Sequence, residues 1–159
     1  MKATSLIIGL LDDAHILLGV RAGSKPAVLT ALARRASKLT GIAEPIILGA
    51  LAAREALGST GFGGGIAMPH ARIEGLSGPI ALFARLEKPT PFDAIDGKPV
   101  DLIVMLLSPK AADSDHLSAL AAFSRLLRDQ SIAAALRIAT SAAAARALMA
   151  EGPSHTGPR

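Results

Sequence analysis

The stretch VDLIVMLLS, residues 100–108, constrains the fold more than any other part of the chain. A strand with one solvated face alternates apolar and polar residues, but this run is almost continuously apolar. It therefore predicts a strand that is buried on both faces and closed by Pro109. Because helical segments are predicted before and after it, the chain is predicted to form a layered α/β domain.

Two further segments have the character of strands. HILLGV (15–20) is a short apolar run, and PIALFARLE (79–87) is longer and flanked by proline and lysine. IAM (66–68) is too short to assign by itself. The segment 88–100 carries three prolines and a glycine, which predicts a loop or turn.

Two helices are predicted in the first half of the chain. Ser24 is a suitable N-cap with Pro26 in the first turn, and this helix should stop before Gly41. The pair at 44–45, Glu-Pro, opens a second helix, which Gly58 ends as a glycine C-cap.

Three shorter helices are predicted in the second half. Asp113 or Ser114 is placed to cap a helix over about 116–127. QSIAAALRIA predicts another, and SAAAARALMA predicts a third with Ser141 as its cap. We expect residues 1–151 to form a single domain and the polar tail 152–159 to be disordered.

Composition excludes several classes of protein. No apolar run reaches the roughly 18–20 residues that span a bilayer, and the N-terminus lacks a convincing signal-peptide cleavage site. There is no cysteine, hence no disulfide or thiolate metal site, which fits a cytoplasmic location. The net charge of +4 invites a nucleic-acid role, but the 17 Lys and Arg are scattered and aromatics are only 3%. Solubility or an acidic protein partner explains the charge better.

The stretch GSTGFGGGIAMPHAR, residues 58–72, resembles a phosphate loop but matches no nucleotide motif. Gly58 and Gly63 have P-loop spacing, yet glycines stand where Lys and Ser/Thr belong. Gly61 and Gly63 begin a dinucleotide fingerprint that Ile66 breaks. Its glycines permit positive φ and anion-binding N–H nests, although on the glycines alone a flexible turn is the better reading.

Among the four histidines, His70 and His116 attract attention. His70 follows a proline and the glycine-rich stretch, and His116 lies near the start of a predicted helix. His15 is read as structural or superficial, and His155 as an inert tail residue. A zinc site is disfavoured because the chain has no HExxH motif and no cysteine, so we expect no metal and no cofactor.

Nucleophilic histidine is the remaining chemistry. A neutral imidazole has a free ring nitrogen near physiological pH, and it can attack a phosphoryl group and carry it. Such a site needs cations or N–H donors for the phosphoryl oxygens. Arg54 before the glycine loop and His116 far after it are candidates for this role.

With these residues, the chain resembles enzyme IIA of the bacterial phosphoenolpyruvate-dependent phosphotransferase system, in its fructose/mannitol/nitrogen-regulatory group. The matching stretches are REALGSTGFGGGIAMPH (54–70), PFDAIDGKPVDLIVMLLSP (91–109) and HLSALAAFSRLLRD (116–129). The resemblance covers nearly the whole chain and is strongest toward the nitrogen-regulatory branch. It implies a three-layer α/β/α sandwich with a mixed central sheet.

The resemblance also implies site roles. His70 would be phosphorylated on Nε2, and Arg54 and His116 would stabilise the phosphoryl group. The loop residues beside the site are Gly58, Ser59, Thr60, Gly61 and Gly63. Arg72 is a candidate docking charge, and Ala71 departs from the glycine that is usual after the active histidine.

The implied partners are proteins. An HPr-type phosphocarrier would be the donor, and regulatory targets in this family include potassium-handling proteins and sensor kinases. No nucleic acid and no membrane insertion are expected. The alternatives are a sugar-specific enzyme IIA that passes phosphate to a IIB domain, and a non-catalytic binding domain of the same fold, which would be expected to lack the histidine.

Overall fold

The computed structural model describes residues 6–7, 9–111 and 113–152. Six strands lie within these residues: β1 (Ile16–Val20), β2 (Gly61–Gly63), β3 (Ile66–Ala67), β4 (His70–Ile73), β5 (Ile80–Thr90) and β6 (Val100–Pro109). Five helices of the described part are labelled α1 (Lys25–Thr40), α2 (Glu44–Ala56), α3 (Asp113–Arg128), α4 (Gln130–Ile138) and α5 (Ala142–Glu151). A 3₁₀ turn, Asp13–His15, precedes β1, and residues 6–7 and 9–10 are helical.

The strands form one mixed sheet with the order β1-β5-β6-β3-β2. β1 is parallel to β5, β5 is antiparallel to β6, and β2 is antiparallel to β3. Both β3 and β4 pair in parallel with β6, one after the other along its length. β6 is therefore the central strand and holds both short strands in register.

Strand β6 is buried on both faces, as its sequence predicts. Leu102, Val104 and Leu106 belong to one core cluster, and Ile103, Met105 and Leu107 belong to the other. This strict alternation is the two-residue period of a strand, with apolar residues at both phases. The predicted three-layer α/β/α sandwich with a mixed central sheet is confirmed.

The two helical layers come from different parts of the chain. Helices α1 and α2 cover one face of the sheet, and α3, α4 and α5 cover the other together with residues 7, 10 and 11. The predicted caps are confirmed at Ser24 and Ser141, whose side chains accept backbone N–H groups from the first turns of α1 and α5. Gly41 ends α1 in the left-handed conformation.

Four local predictions need correction. β5 continues to Thr90, so the predicted loop 88–100 begins three residues later, and its Pro89 is tolerated near the strand end. The glycine-rich loop contains β2, because Gly61–Gly63 pairs with β3. Helix α3 begins at Asp113 rather than near 116. The C-cap of α2 is Leu57, and Gly58 is the following residue with φ +152°.

Two predictions fall partly or wholly on residues outside the described ranges. His155 and residues 153–159 of the predicted disordered tail are among them. In the described part of the chain, no helix is both long and apolar enough to cross a membrane.

Candidate functional site

His70 is the first residue of β4 and stands at an interruption of the sheet. β3 ends at Ala67, and Met68 and Pro69 separate it from β4, although both strands pair with β6. Pro69 has no N–H to donate, but its carbonyl still accepts from the backbone N–H of Leu106 at 3.0 Å. His70 is therefore in register with Leu106, and the carbonyl of Met68 faces the imidazole.

Two hydrogen bonds define the His70 ring. Its Nδ1–H donates to the carbonyl oxygen of Met68, with 2.8 Å between the two atoms. Because a carbonyl can only accept, the neutral ring carries its proton on Nδ1 and a lone pair on Nε2. The Nε–H of Arg54 donates to Nε2 at 3.2 Å. Nε2 is consequently the ring nitrogen that carries the lone pair.

The environment of His70 favours the neutral ring. Burial lowers the pKa of His70 below its usual value of 6.5, and the charges of Arg54 and Arg72 act in the same direction. The hydrogen bond to Met68 and the charge of Glu55 raise the pKa but do not reverse the shift. The lone pair on Nε2 is therefore present throughout the neutral pH range.

Arg54 is positioned by the end of its own helix. It lies in the last turn of α2, and one terminal nitrogen donates to the carbonyl oxygen of Gly58 at 2.9 Å. That carbonyl is available because the chain leaves the helix at Leu57. The guanidinium is thus anchored at one nitrogen and directed at His70 by another, which suits a group that must hold an anion.

His116 approaches His70 from the opposite helical layer. It lies in the first turn of α3, with only 4% of its surface exposed, and the centroids of the two imidazole rings are 5.5 Å apart. Its Nδ1 is 2.7 Å from the hydroxyl oxygen of buried Ser108 on β6. The structure therefore brings together the three predicted residues, Arg54, His70 and His116, from three separate elements.

A cleft of about 400 Å³ lies over His70. It is lined by Arg54, Arg72 and His116 and by apolar residues of α2 and α3. A second depression of about 310 Å³ lies on the other side of Arg54 and His70 and is lined by Ser59, Thr60 and Gly61. His70 is thus accessible from solvent between the two.

Exposed apolar side chains surround this opening. Leu57 is 85% exposed, Ile95 is 85% exposed and Leu117 is 61% exposed. Leu57 and Leu117 line the 400 Å³ cleft, and Ile95 lines the second depression. Large apolar side chains this exposed, grouped around one opening, mark a surface that another protein covers. We call these three residues the apolar rim.

The loop that carries Ile95 is held firmly. The backbone N–H of Ile95 donates to the carbonyl of Gly61 at 3.0 Å, and the Ser59 hydroxyl donates to the carbonyl of Phe92 at 2.6 Å. Within the described ranges, Asp93 is the one non-glycine residue with positive φ, at +53°. A strained turn held by several contacts is typical of functional loops, and here it presents Ile95 to solvent.

The glycines of the predicted loop have reasons internal to the chain. A Cβ on Gly61 would lie 2.9 Å from the Cβ of Ala94, and one on Gly65 would lie 2.7 Å from a nitrogen of Arg137. At these two positions a side chain would therefore collide with neighbours within the chain itself. Gly63, at φ +106°, is the last residue of β2 and precedes the turn at residues 64–65 of the β2–β3 hairpin.

Thr60 and Glu55 form a buried polar cluster behind the site. The Thr60 hydroxyl and backbone N–H both donate to the Glu55 carboxylate, which also pairs with Lys25 at 2.7 Å. The hydroxyls of Ser59 and Thr60 are thus engaged within the chain. Their role beside the site is to fix the backbone that follows Arg54.

Ala71 is accommodated without strain. It lies in β4, is 7% exposed and packs in the cluster beneath α1 and α2. Its φ is not positive, so an L side chain is natural there. Arg72, the next residue, is exposed and lines the same cleft as His70.

Sequence reasoning missed Glu55, Ile95 and Ser108. Glu55 follows Arg54 directly and Ser108 ends the buried strand, but only the fold shows what each contacts. His15 lies away from this cleft and contacts the carbonyl of Leu10 at 2.9 Å. Among the residues that the structure describes, no group of three His, Asp or Glu side chains could hold a metal.

Comparisons with known proteins agree on one family. Residues 9–152 match the family described as "Phosphoenolpyruvate-dependent sugar phosphotransferase system, EIIA 2". A nitrogen regulatory protein of Bradyrhizobium diazoefficiens is 43% identical over 147 residues, which is 92% of this chain and 96% of that protein. A nitrogen regulatory protein of Pseudomonas aeruginosa is 42% identical over 136 residues, covering 85% of this chain and 88% of the relative.

A solved structure gives the same result for the fold. The crystal structure of the nitrogen regulatory protein IIA-Ntr from Neisseria meningitidis superposes with a TM-score of 0.87 at 36% sequence identity. The match covers 91% of this chain and 99% of that one.

Proposed function

Since the chain belongs to the EIIA 2 family of the phosphoenolpyruvate-dependent sugar phosphotransferase system, we propose that it is a phosphoryl-accepting regulator of the nitrogen type. In this proposal His70 accepts a phosphoryl group from an HPr-type carrier in the cytoplasm. The protein then regulates its partners through its phosphorylation state.

The observation that carries this proposal is the pair of hydrogen bonds on His70. Nδ1 is committed to the carbonyl of Met68, so the lone pair lies on Nε2. Nε2 in turn lies 3.2 Å from the Nε of Arg54. A nucleophilic nitrogen adjoining a fixed cation is the minimum that phosphoryl transfer to histidine needs.

The transfer exchanges one N–P bond for another. The Nε2 lone pair of His70 attacks phosphorus, and the N–P bond to the carrier's phosphohistidine breaks, with its electron pair returning to the carrier's ring. The His70 ring becomes formally cationic because Nδ1 keeps its proton. The Met68 carbonyl accepts that N–H and stabilises the charge.

Arg54 changes partner during this step. In the unmodified protein its Nε–H donates to the same lone pair that must attack phosphorus. The guanidinium must therefore move from Nε2 to the phosphoryl oxygens while its terminal nitrogen stays near Gly58. His116 lies close enough to contact the same group from the other helical layer.

The apolar rim supports docking of a protein donor. Leu57, Ile95 and Leu117 surround His70 and expose most of their surfaces. A small carrier that covers the rim would bury these side chains and exclude water from the transferring phosphoryl group. Arg72, at the edge of the cleft, would supply a charge for orientation.

In this proposal, the regulatory effect on partner proteins acts through the same surface. A phosphoryl group adds close to two negative charges beside the apolar rim, so a partner that favours one form would reject the other. We propose potassium-handling proteins or sensor kinases as regulatory targets that distinguish the two forms. The similarity to nitrogen regulatory proteins is what favours regulation over sugar transport.

The test is a phosphotransfer assay with phosphoenolpyruvate, enzyme I and an HPr-type carrier. We expect the wild-type chain to take up an acid-labile, base-stable phosphate, and the His70→Ala variant to take up none. His15→Ala is the matched control, because that histidine lies away from the cleft. Phosphate on the His70→Ala variant would refute the assignment.

The second candidate is a sugar-specific enzyme IIA that passes the phosphoryl group to a IIB domain. The family description itself names sugar phosphotransfer, which favours retaining this alternative. The site chemistry would be identical, and only the acceptor would differ. Rapid transfer from the phosphorylated chain to a IIB domain would support it over the regulatory role.

A further inference from the structure

The contact between Ser108 and His116 has a function that sequence motifs do not indicate. Ser108 lies on β6, is fully buried, and its hydroxyl oxygen is 2.7 Å from Nδ1 of His116. His116 is itself 4% exposed, and its ring centroid is 5.5 Å from that of His70. A buried hydroxyl therefore supports one of the two histidines of the site.

A neutral histidine donates from only one nitrogen, so its tautomer decides what it offers to a ligand. Nδ1 of His116 is tied to the sheet, and the two ring nitrogens point in diverging directions. Nε2 is therefore the nitrogen turned away from Ser108. A phosphoryl group carries oxygens that only accept hydrogen bonds at neutral pH, so it needs an N–H at this position.

We propose that Ser108 is a positioning residue whose hydroxyl donates to Nδ1 of His116 and thereby keeps the proton of the neutral ring on Nε2. In this arrangement His116 presents an N–H to the phosphoryl group on His70. The neutral rings then have opposite tautomers, with the proton on Nδ1 in His70 and on Nε2 in His116. In each ring, the oxygen atom beside Nδ1 selects the tautomer. The Met68 carbonyl accepts from His70 Nδ1, and the Ser108 hydroxyl donates to His116 Nδ1.

The register of the sheet makes this pairing possible. Ser108 lies opposite Arg72 on β4, two residues beyond the Leu106–His70 pair. The same strand thus aligns the backbone of His70 and carries the hydroxyl that supports His116. The inference rests on the proposed function, because it gives His116 its role toward phosphorylated His70.

The first measurement needs no phosphorylation. The full chain, labelled with ¹⁵N, is studied by NMR at mildly alkaline pH, where ring-nitrogen shifts identify the protonated nitrogen of His116. We expect the Nε2–H tautomer in the wild type and in Ser108→Thr, and a mixture of tautomers in Ser108→Ala. A wild-type ring protonated on Nδ1 would overturn the proposal.

The second measurement is the lifetime of the phosphorylated chain. We expect Ser108→Ala to lose the phosphoryl group about tenfold faster, by analogy with the smallest effects of removing a hydrogen bond that orients a metal-ligating histidine. Ser108→Thr should retain the wild-type lifetime because it keeps the hydroxyl. Ser37→Ala is the control, since it removes a hydroxyl that donates to the carbonyl of Ile42.

The two measurements separate the proposals. If no variant and no wild-type chain accepts a phosphoryl group, the proposed function fails, while the tautomer of His116 still decides the role of Ser108. If the chain is phosphorylated normally and Ser108→Ala has the wild-type tautomer and lifetime, only the positioning role is refuted.

Discussion

Arg54 donates from Nε to Nε2 of His70 at 3.2 Å, so the nitrogen with the free lone pair already contacts a cation in the unmodified protein. This contact has two opposing consequences. Under the proposed function, it occupies the lone pair that attacks phosphorus, and it also holds a cation beside that lone pair for the incoming phosphoryl oxygens. Substitution of Arg54 should therefore affect the rate and the pKa of His70 together.

Arg54→Ala should slow phosphoryl transfer to His70 by about 100-fold, the usual cost of removing one donor to a developing anionic centre. The transfer rate of Arg54→Lys should lie between those of Arg54→Ala and the wild type, because lysine keeps the charge but lacks the planar guanidinium and its several N–H donors. Single-turnover transfer from the phosphorylated carrier measures both. Equal rates in all three proteins would show that Arg54 does not contact the transferring group.

The pH dependence of transfer follows from the lowered pKa of His70. The neutral ring is the reactive form, and burial holds the pKa of His70 below 6.5. The transfer rate should therefore be constant at alkaline pH and fall as the pH drops through the lowered pKa of His70, with the midpoint of the fall below pH 6.5. A rate profile, with the His70 pKa measured by NMR titration, checks this. A fall centred at or above pH 6.5 would contradict it.

Two of the charged neighbours of His70, Arg54 and Glu55, should move its pKa in opposite directions. Arg54 lowers the pKa, so Arg54→Ala should raise it toward the usual value. Glu55 raises the pKa, so Glu55→Gln should lower it further. The NMR titration of the ring in both variants measures the shifts. Shifts of the same sign would mean that structural change, not charge, dominates.

The apolar rim should contribute to docking without contributing to folding. Ile95→Ser removes an 85% exposed side chain, so the free energy of unfolding should change little. Burial of such a side chain by a partner contributes about 1.5–3 kcal/mol, so KM for the carrier should rise by about tenfold or more. Ile138→Ser is the matched control, since Ile138 is 78% exposed but lines neither depression at His70. An equal rise in KM for both variants would argue against the rim.

Ala71→Gly should destabilise the fold without improving transfer. Ala71 is buried in an extended strand, where glycine costs about 0.5–1 kcal/mol through backbone entropy. Urea unfolding measures this loss, and the transfer assay measures any gain. A variant that transfers faster than the wild type would show that the methyl group beside His70 restricts the site.

The sequence predicts the scaffold well because the scaffold rests on local signals. The apolar run of β6, the serine caps of α1 and α5 and Gly41 each act within a few residues, and all are confirmed. The boundaries that differ depend on pairing between distant residues. Gly61–Gly63 becomes a strand because β3 lies beside it, and no local pattern reports that partner.

The site was less accessible to sequence reasoning than the fold. Motif chemistry and family resemblance single out Arg54, His70 and His116 in the sequence, and the structure brings the three side chains together. Ser108 could not be found from the sequence, because its importance depends on a helix that begins after the next turn. The packing reason for glycine at positions 61 and 65 is also hidden from the sequence, because the neighbours Ala94 and Arg137 are distant along the chain.

The interruption at Met68 and Pro69 offers a rule for protein design. Across this two-residue gap the carbonyl of Pro69 stays bonded to the neighbouring strand, and the carbonyl of Met68 accepts from the imidazole two residues later. An imidazole at the first residue after the gap then receives a fixed tautomer from its own backbone, with no added side chain. Transplanted into another parallel sheet, this two-residue gap would install a histidine whose reactive nitrogen is chosen in advance.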